Sequence, residues 1–221
     1  MSTATFPTIT KEDIFLQLQH IGQKESFSNE YYPFIDMMVQ SVASLKKSGE
    51  ISNEDITRIQ NFFGQDFLEN TLHGMALLKK YGYAGDFLMI DKIYTGNTSA
   101  NTFFQSWDAY FQNHAAPKAV RNRKEFFKKM LQRKLALTGN VQLLNVASGP
   151  SRDLLELYSG LTPQQQLQTT CVEMDKNAID YAVNLLTDHV QHIDFINRNI
   201  FKFETDKKFD IIWSAGLFDY F

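Results

Sequence analysis

The stretch "LLNVASGPSRDLLEL", residues 143–157, decides how this chain is read. An apolar run reaches a turn of small residues, Ala147-Ser148-Gly149-Pro150-Ser151, and an amphipathic pattern follows it. A strand, a tight turn and a helix in that order form the outline of a nucleotide-binding loop. Small residues are needed there because a ligand must approach the backbone closely. The glycines of G-x-G-x-x-G are absent, however, so a nicotinamide dinucleotide is not the expected ligand.

Downstream the same alternation continues. "LQTTCVEM" reads as a strand, "NAIDYAVNLLTDHV" as a helix, "IDFINRN" as a third strand and the Ile-rich "KFDIIWSA" as a fourth. Strands alternating with helices predict a parallel sheet joined by crossover helices. In such sheets ligands sit beyond the carboxyl ends of the strands. An acid at the end of the second strand is then placed to accept hydrogen bonds from ribose hydroxyls. Glu173 stands there, 24 residues beyond Gly149, and Asp175 is the near alternative, better suited to a turn or helix cap.

Upstream the period is helical. "NEYYPFIDMMVQSVASLKKSG" spaces Phe34, Met37, Met38, Val42 and Leu45 by three and four, and Gly49 supplies a stop. Ser52 and Asp55 form a capping-box pattern ahead of Ile56, Ile59, Phe62, Phe63 and Phe67. "GYAGDFLMIDKIYTGN", residues 82–97, interrupts the rhythm with two glycines, and "APKAVRNRKEFFKKMLQRKLALTG" is a last helix. The expected fold is α/β: a Rossmann-like doubly wound sheet of about four strands at 139–221, preceded by a helical cap or substrate region at 1–138. Thirteen of the 19 phenylalanines lie between Phe6 and Phe127, enough to build a helical core or to line an apolar pocket.

With 43% hydrophobic and 21% charged residues the composition is that of an ordinary globular protein. A net charge of -3 gives no general attraction to nucleic acid or anionic membranes. Cys171 is the single cysteine, which excludes an internal disulfide or a cysteine zinc cluster, and the five histidines show no metal spacing. No run of about 18 apolar residues predicts a membrane span. No signal peptide is visible either, so the cytoplasm is the expected address.

"LLNVASGPSRDLLEL", "CVEMDKNAIDYA", "INRNIFKF" and "FDIIWSAGLFDYF" resemble, in order and spacing, the first four strand-end motifs of class I S-adenosylmethionine-dependent methyltransferases. The resemblance implies that Ala147, Ser148 and Gly149 hold the methionine end of S-adenosylmethionine, Glu173 its ribose and Met174 the adenine ring. It implies Asn199 at the adenine amino group, and Ser214, Ala215 and Gly216 near the sulfonium and substrate. Asn145 stands where the family has an acid, which removes a negative charge near the cofactor ammonium, and Ser151 replaces a third glycine. "KKYGYAGDFLMIDKIY", "APKAVRNRKEFF" and "WSAGLFDYF" further resemble a bacterial methyltransferase group that makes 3-hydroxypalmitic acid methyl ester, the extracellular factor.

That resemblance implies an apolar acid as substrate. An ionised carboxylate needs no general base, only a cation to hold it in line; Arg121 and Arg123 are the candidates, with Tyr83 and Asp86 completing a lid. An alcohol or amine acceptor would instead require Asp86 or a histidine as base. Lys118–Lys134 contains eight basic residues and one acid, which raises RNA as a rival acceptor; no aromatic-basic platform accompanies them, so nucleic acid is not expected as a partner. The chain stops just past the fourth strand, where the family continues. An open edge would then invite a homodimer or completion by a second chain, or leave a non-catalytic binding module.

Overall fold

The computed structural model describes residues 10–24, 26–83 and 85–220. Its helices are α1 (Lys11–Gly22), α2 (Tyr32–Ser48), α3 (Asn53–Asn70), α4 (Leu72–Leu78), α5 (Phe87–Thr95), α6 (Thr102–Asn113), α7 (Ala115–Thr138), α8 (Arg152–Tyr158) and α9 (Lys176–Leu185). Its strands are β1 (Asn140–Val146), β2 (Gln166–Glu173), β3 (Ile193–Asn197) and β4 (Ile211–Ser214). The chain divides into two compact units, one holding residues up to 78 and 98–113, the other residues 79–97 and 114–221.

The first unit is helical. Gly49 ends α2 in the left-handed conformation, φ 83°, as the sequence predicts. The Ser52–Asp55 capping box opens α3, which bends at Gly64. The phenylalanines pack with Trp107 at the centre: Phe27, Phe63 and Phe67 meet its indole at 5.0, 5.3 and 5.3 Å, all edge to face. Such contacts add about 0.5–1.5 kcal/mol each beyond area burial. The aromatic excess thus builds a core. Two of its members, Phe15 and Phe62, also line a groove of about 290 Å³ beneath Arg58.

The second unit contains one sheet of order β3-β2-β1-β4, with every pair parallel. This is the expected α/β, Rossmann-like layout. One face, carrying Val141, Leu143, Leu167, Cys171 and Ile193, is covered by Phe127, Leu131 and Leu135 of α7 and Leu154, Leu157 and Tyr158 of α8. Fully buried side chains of this kind stabilise by roughly 1.5–3 kcal/mol each. The opposite face, with Leu144, Val146 and Val172, packs on Ile196, Ile200, Phe203, Phe209 and Leu217. The chain passes from β1 to β2 and β3 on one side, then crosses to β4 on the other. Strand order therefore reverses between β1 and β4, and that reversal fixes the crevice.

The expected division at 138/139 follows the sequence pattern and not the compact units. It marks the onset of the strand pattern, since β1 opens at Asn140. The compact unit itself reaches further back, taking in α7 and the whole of 79–97. Among the described residues no helix is long and apolar enough to cross a membrane.

Candidate functional site

The loop after β1 has an unusual backbone. Ala147, Gly149 and Ser151 alternate in the left-handed region at φ 51°, 53° and 54°. For the two non-glycine residues that conformation costs of order 1 kcal/mol each. A Cβ built on Gly149 would meet no atom within 4 Å, so its backbone, not lack of space, calls for glycine. The same openness leaves the position accessible to a ligand.

Glu173, at the end of β2, ties this loop to the next. One carboxylate oxygen accepts from the Gly149 N–H at 3.0 Å. The other accepts from the N–H groups of Met174 and Asp175 at 2.8 and 2.9 Å. A carboxylate held by three backbone donors is fixed in direction before any ligand arrives. Met174 is exposed beside it. Asp175 caps α9 through the Asn177 N–H, as its position in the sequence predicts, and its second oxygen accepts from the Tyr83 hydroxyl at 3.1 Å. Burial, and then the carboxylates of Asp175 and Glu173, raise the Tyr83 hydroxyl above the ordinary tyrosine pKa. Tyr83 is therefore a hydrogen-bond donor here, not a base.

At the carboxyl ends of β1 and β4, adjacent in register, the side-chain amide nitrogen of Asn145 and the hydroxyl of Ser214 are buried and meet no hydrogen-bond partner. Burying such a group unpaired costs about 1–3 kcal/mol. The Ser148 hydroxyl lies against the Cys171 thiol, which burial pushes up to about 12. Ala215 and Gly216 follow in the half-buried bend after β4. Asn199 caps a short 3-10 turn, its side-chain oxygen accepting from the Phe201 N–H at 2.9 Å. The acceptor that an adenine amino group would need is already engaged in one bond.

On the acceptor side the expected residues sit as follows. Asp86 is only 2% exposed and caps α5 through the Met89 N–H at 2.9 Å. The residue expected as lid partner or base thus serves as a buried helix cap in this structure. Arg121 and Arg123 are two residues apart on α7, a spacing at which side chains leave a helix in different directions. Arg123 hydrogen-bonds the side chain of Tyr94, whose hydroxyl pKa is raised chiefly by burial and also by Asp153.

Several charged residues on α5, α7 and α8 that were not singled out make buried contacts in the same unit. Lys124 is buried and reaches Glu156 at 2.5 Å and the Tyr94 carbonyl at 3.3 Å. Lys128 holds the other Glu156 oxygen at 2.5 Å, so part of the basic run is neutralised within the unit. Asp153, second residue of α8, is 4% exposed, and burial raises its pKa to about 6. Asp91 binds Arg152 and Tyr181. A carboxylate inside an otherwise apolar helix, as in "FLMIDKIY", was the available signal. Among the described residues no cluster of His, Cys, Asp and Glu could hold a metal ion.

No family model matches the chain, and no curated protein matches it in sequence. Among solved structures it is similar to a possible exported protein from Bordetella parapertussis, with a TM-score of 0.57 and 19% identity. That likeness, one of fold, covers 92% of this chain and 58% of the other, so the chain spans less than two thirds of that structure's length. A smaller part, 41% of this chain and 35% of the other, overlays a SAM-dependent methyltransferase from Geobacter sulfurreducens in complex with S-adenosyl-L-homocysteine, at TM-score 0.34 and 16% identity. A third, the SAM-dependent methyltransferase from Thiobacillus denitrificans with the same compound, gives TM-score 0.31 and 17% identity over 38% of this chain and 36% of the other.

Proposed function

We propose that residues 139–216 form an S-adenosylmethionine site and that the chain is the cofactor-binding part of a methyltransferase. The observation that carries this reading is the set of groups at the strand-order reversal. An open left-handed loop, a pre-oriented Glu173 and the unpartnered polar atoms of Asn145 and Ser214 lie at the carboxyl ends of three adjacent strands. Their chemistry fits a ligand with a ribose diol and a polar amino-acid end. Glu173 would take the diol, Met174 and Asn199 the adenine, and Asn145, Ala147, Ser148 and Gly149 the methionine end, with Ser214, Ala215 and Gly216 near the reacting centre.

When bound, S-adenosylmethionine supplies an electrophilic methyl group. The chain's own residues hold it and exclude water, and alignment supplies most of the rate enhancement in such a displacement. The acceptor we favour is the carboxylate of an apolar acid such as a hydroxylated fatty acid. It is ionised at neutral pH, which suits a site where Asp86 is a cap and Tyr83 is held protonated. Arg123, beside Tyr94, would orient that carboxylate. An RNA acceptor is less well supported, because Lys124 and Lys128 are ion-paired with Glu156.

Ile212 on β4 and Phe218 beyond it are exposed, and we propose further strands or a second chain along that edge. A cytoplasmic place of action accompanies an intracellular methyl donor, and cell fractionation would test it. Titration calorimetry with S-adenosylhomocysteine tests the cofactor: the expected result is saturable binding, and no heat from the folded chain removes the claim. Transfer of a labelled methyl group to 3-hydroxy fatty acids tests the acceptor, and transfer only to amines, phenols or RNA overturns it.

A further inference from the structure

We infer that Asp91 on α5 is a positioning residue for the loop 147–151, acting through Arg152; this rests on reading that loop as the cofactor site. Arg152 directly follows Ser151, the last of the three left-handed residues, and begins α8. Its Nε and Nη2 donate to the two oxygens of Asp91 at 2.7 and 2.9 Å, a bidentate pair that fixes distance and plane together. Asp91 is 6% exposed, and one of its oxygens also accepts from the Tyr181 hydroxyl on α9 at 2.7 Å. One buried carboxylate thereby joins three helices at the exit of the loop.

Asp91 is itself held in place. Phe87, one turn earlier on α5, packs on Tyr181 with ring centroids 5.4 Å apart and on Tyr81 at 4.7 Å. The Asp86 cap fixes the start of the same helix. Within the loop, the Ser151 N–H bonds only as far back as the Ser148 carbonyl, at 3.3 Å. The loop's start is tied to β2 by the Ala147 N–H on the Val172 carbonyl at 2.8 Å, and its middle by Glu173 on the Gly149 N–H. Its exit is held by the first turn of α8 and by Asp91 on the side chain that follows Ser151. Strained backbone persists where its surroundings over-determine it.

The test uses the full chain with Asp91→Asn and Arg152→Lys, singly and together, and with Tyr181→Phe as a milder variant that keeps the ion pair. Two readouts are taken: amide hydrogen exchange of residues 147–152 without ligand, and affinity for S-adenosylhomocysteine. Loss of the bidentate pair is expected to raise exchange in the loop selectively and to weaken binding by about 10-fold. The double variant should be no worse than either single one, because both remove the same contact. Tyr181→Phe should weaken binding by about twofold. Unchanged loop exchange in Asp91→Asn, or exchange raised equally across α5, α8 and α9, overturns the inference. Wild-type chain that binds no S-adenosylhomocysteine while Asp91→Asn still loosens the loop overturns the proposed function and leaves the positioning role standing. Variants that loosen the loop yet bind as wild type does overturn the link to the cofactor.

Discussion

Replacing Asp153 by Asn should make the chain more stable at alkaline pH and leave it nearly unchanged in acid. Asp153 is 4% exposed at the start of α8, and its carboxylate accepts from the Leu154 N–H at 2.9 Å. Burial raises its pKa from 3.8 to about 6; Glu156 pushes the same way, while backbone hydrogen bonds and Lys124 oppose. The sign follows from proton counting. Between these values the folded chain holds a proton that the unfolded chain has released, so stability falls as pH rises through the window. Above pH 6 the whole cost is present: about two pKa units, or about 3 kcal/mol.

Asn has the same shape, keeps an oxygen for the Leu154 N–H and carries no charge at any pH. Urea denaturation of Asp153→Asn and wild type at pH 4, 6 and 8 measures the difference. The expected gain is about 0.5 kcal/mol at pH 4, already most of the full effect at pH 6 and up to about 3 kcal/mol at pH 8, less whatever the added amide N–H groups lose by burial. A stability difference that is the same at all three pH values would refute the reasoning. It would mean that the Asp153 carboxylate is solvated or fully paired in the folded chain. A gain in stability accompanied by weaker cofactor binding would identify the buried charge as one retained for function.

The other predictions concern the loop and the acceptor side. Glu173→Gln turns an amide NH2 toward a backbone N–H at one of its two ends, and should weaken both stability and S-adenosylhomocysteine affinity by about 1–3 kcal/mol, read by denaturation and calorimetry. Gly149→Ala should destabilise by about 1–2 kcal/mol through its positive φ alone, since no atom obstructs the added methyl; Ala147→Gly should relieve strain of the same kind. Arg123→Ala should lower turnover about 30- to 1000-fold in a form proven active, with little rescue by Lys. Arg121→Ala, which leaves α7 in a different direction, should leave turnover intact, and equal losses at the two positions would indicate a joint grip.

How much of this was legible in the sequence depended on the range of the interaction. The four strands and their order of appearance were readable because parallel strands covered on both faces leave apolar runs such as Leu143-Leu144 and Cys171-Val172. The Asp175 cap and the Ser52–Asp55 box were readable because a cap acts within three residues. Glu173 was readable from its place at a strand end, but its bond to Gly149, 24 residues back, was not. Arg121 and Arg123 were readable as cations on one helix, but their spacing of two is not a helical period, so sequence alone did not say which of them faces an acceptor. At the segment 79–97 the limit is topological. It is cut off from α7 by 98–113, which belongs to the helical unit, so nothing along the chain marks it as part of the sheet's unit. Its sequence does state a requirement. An aspartate among Phe87, Met89, Ile93 and Tyr94, all buried, must find a donor, because an unpaired buried carboxylate would cost several kcal/mol. That the donor is Arg152, 61 residues away and next to the loop after β1, is decided only when the sheet brings α8 and α9 against α5. Sequence can thus name the residue that needs a partner, while the fold determines which partner it gets and hence what that pair controls.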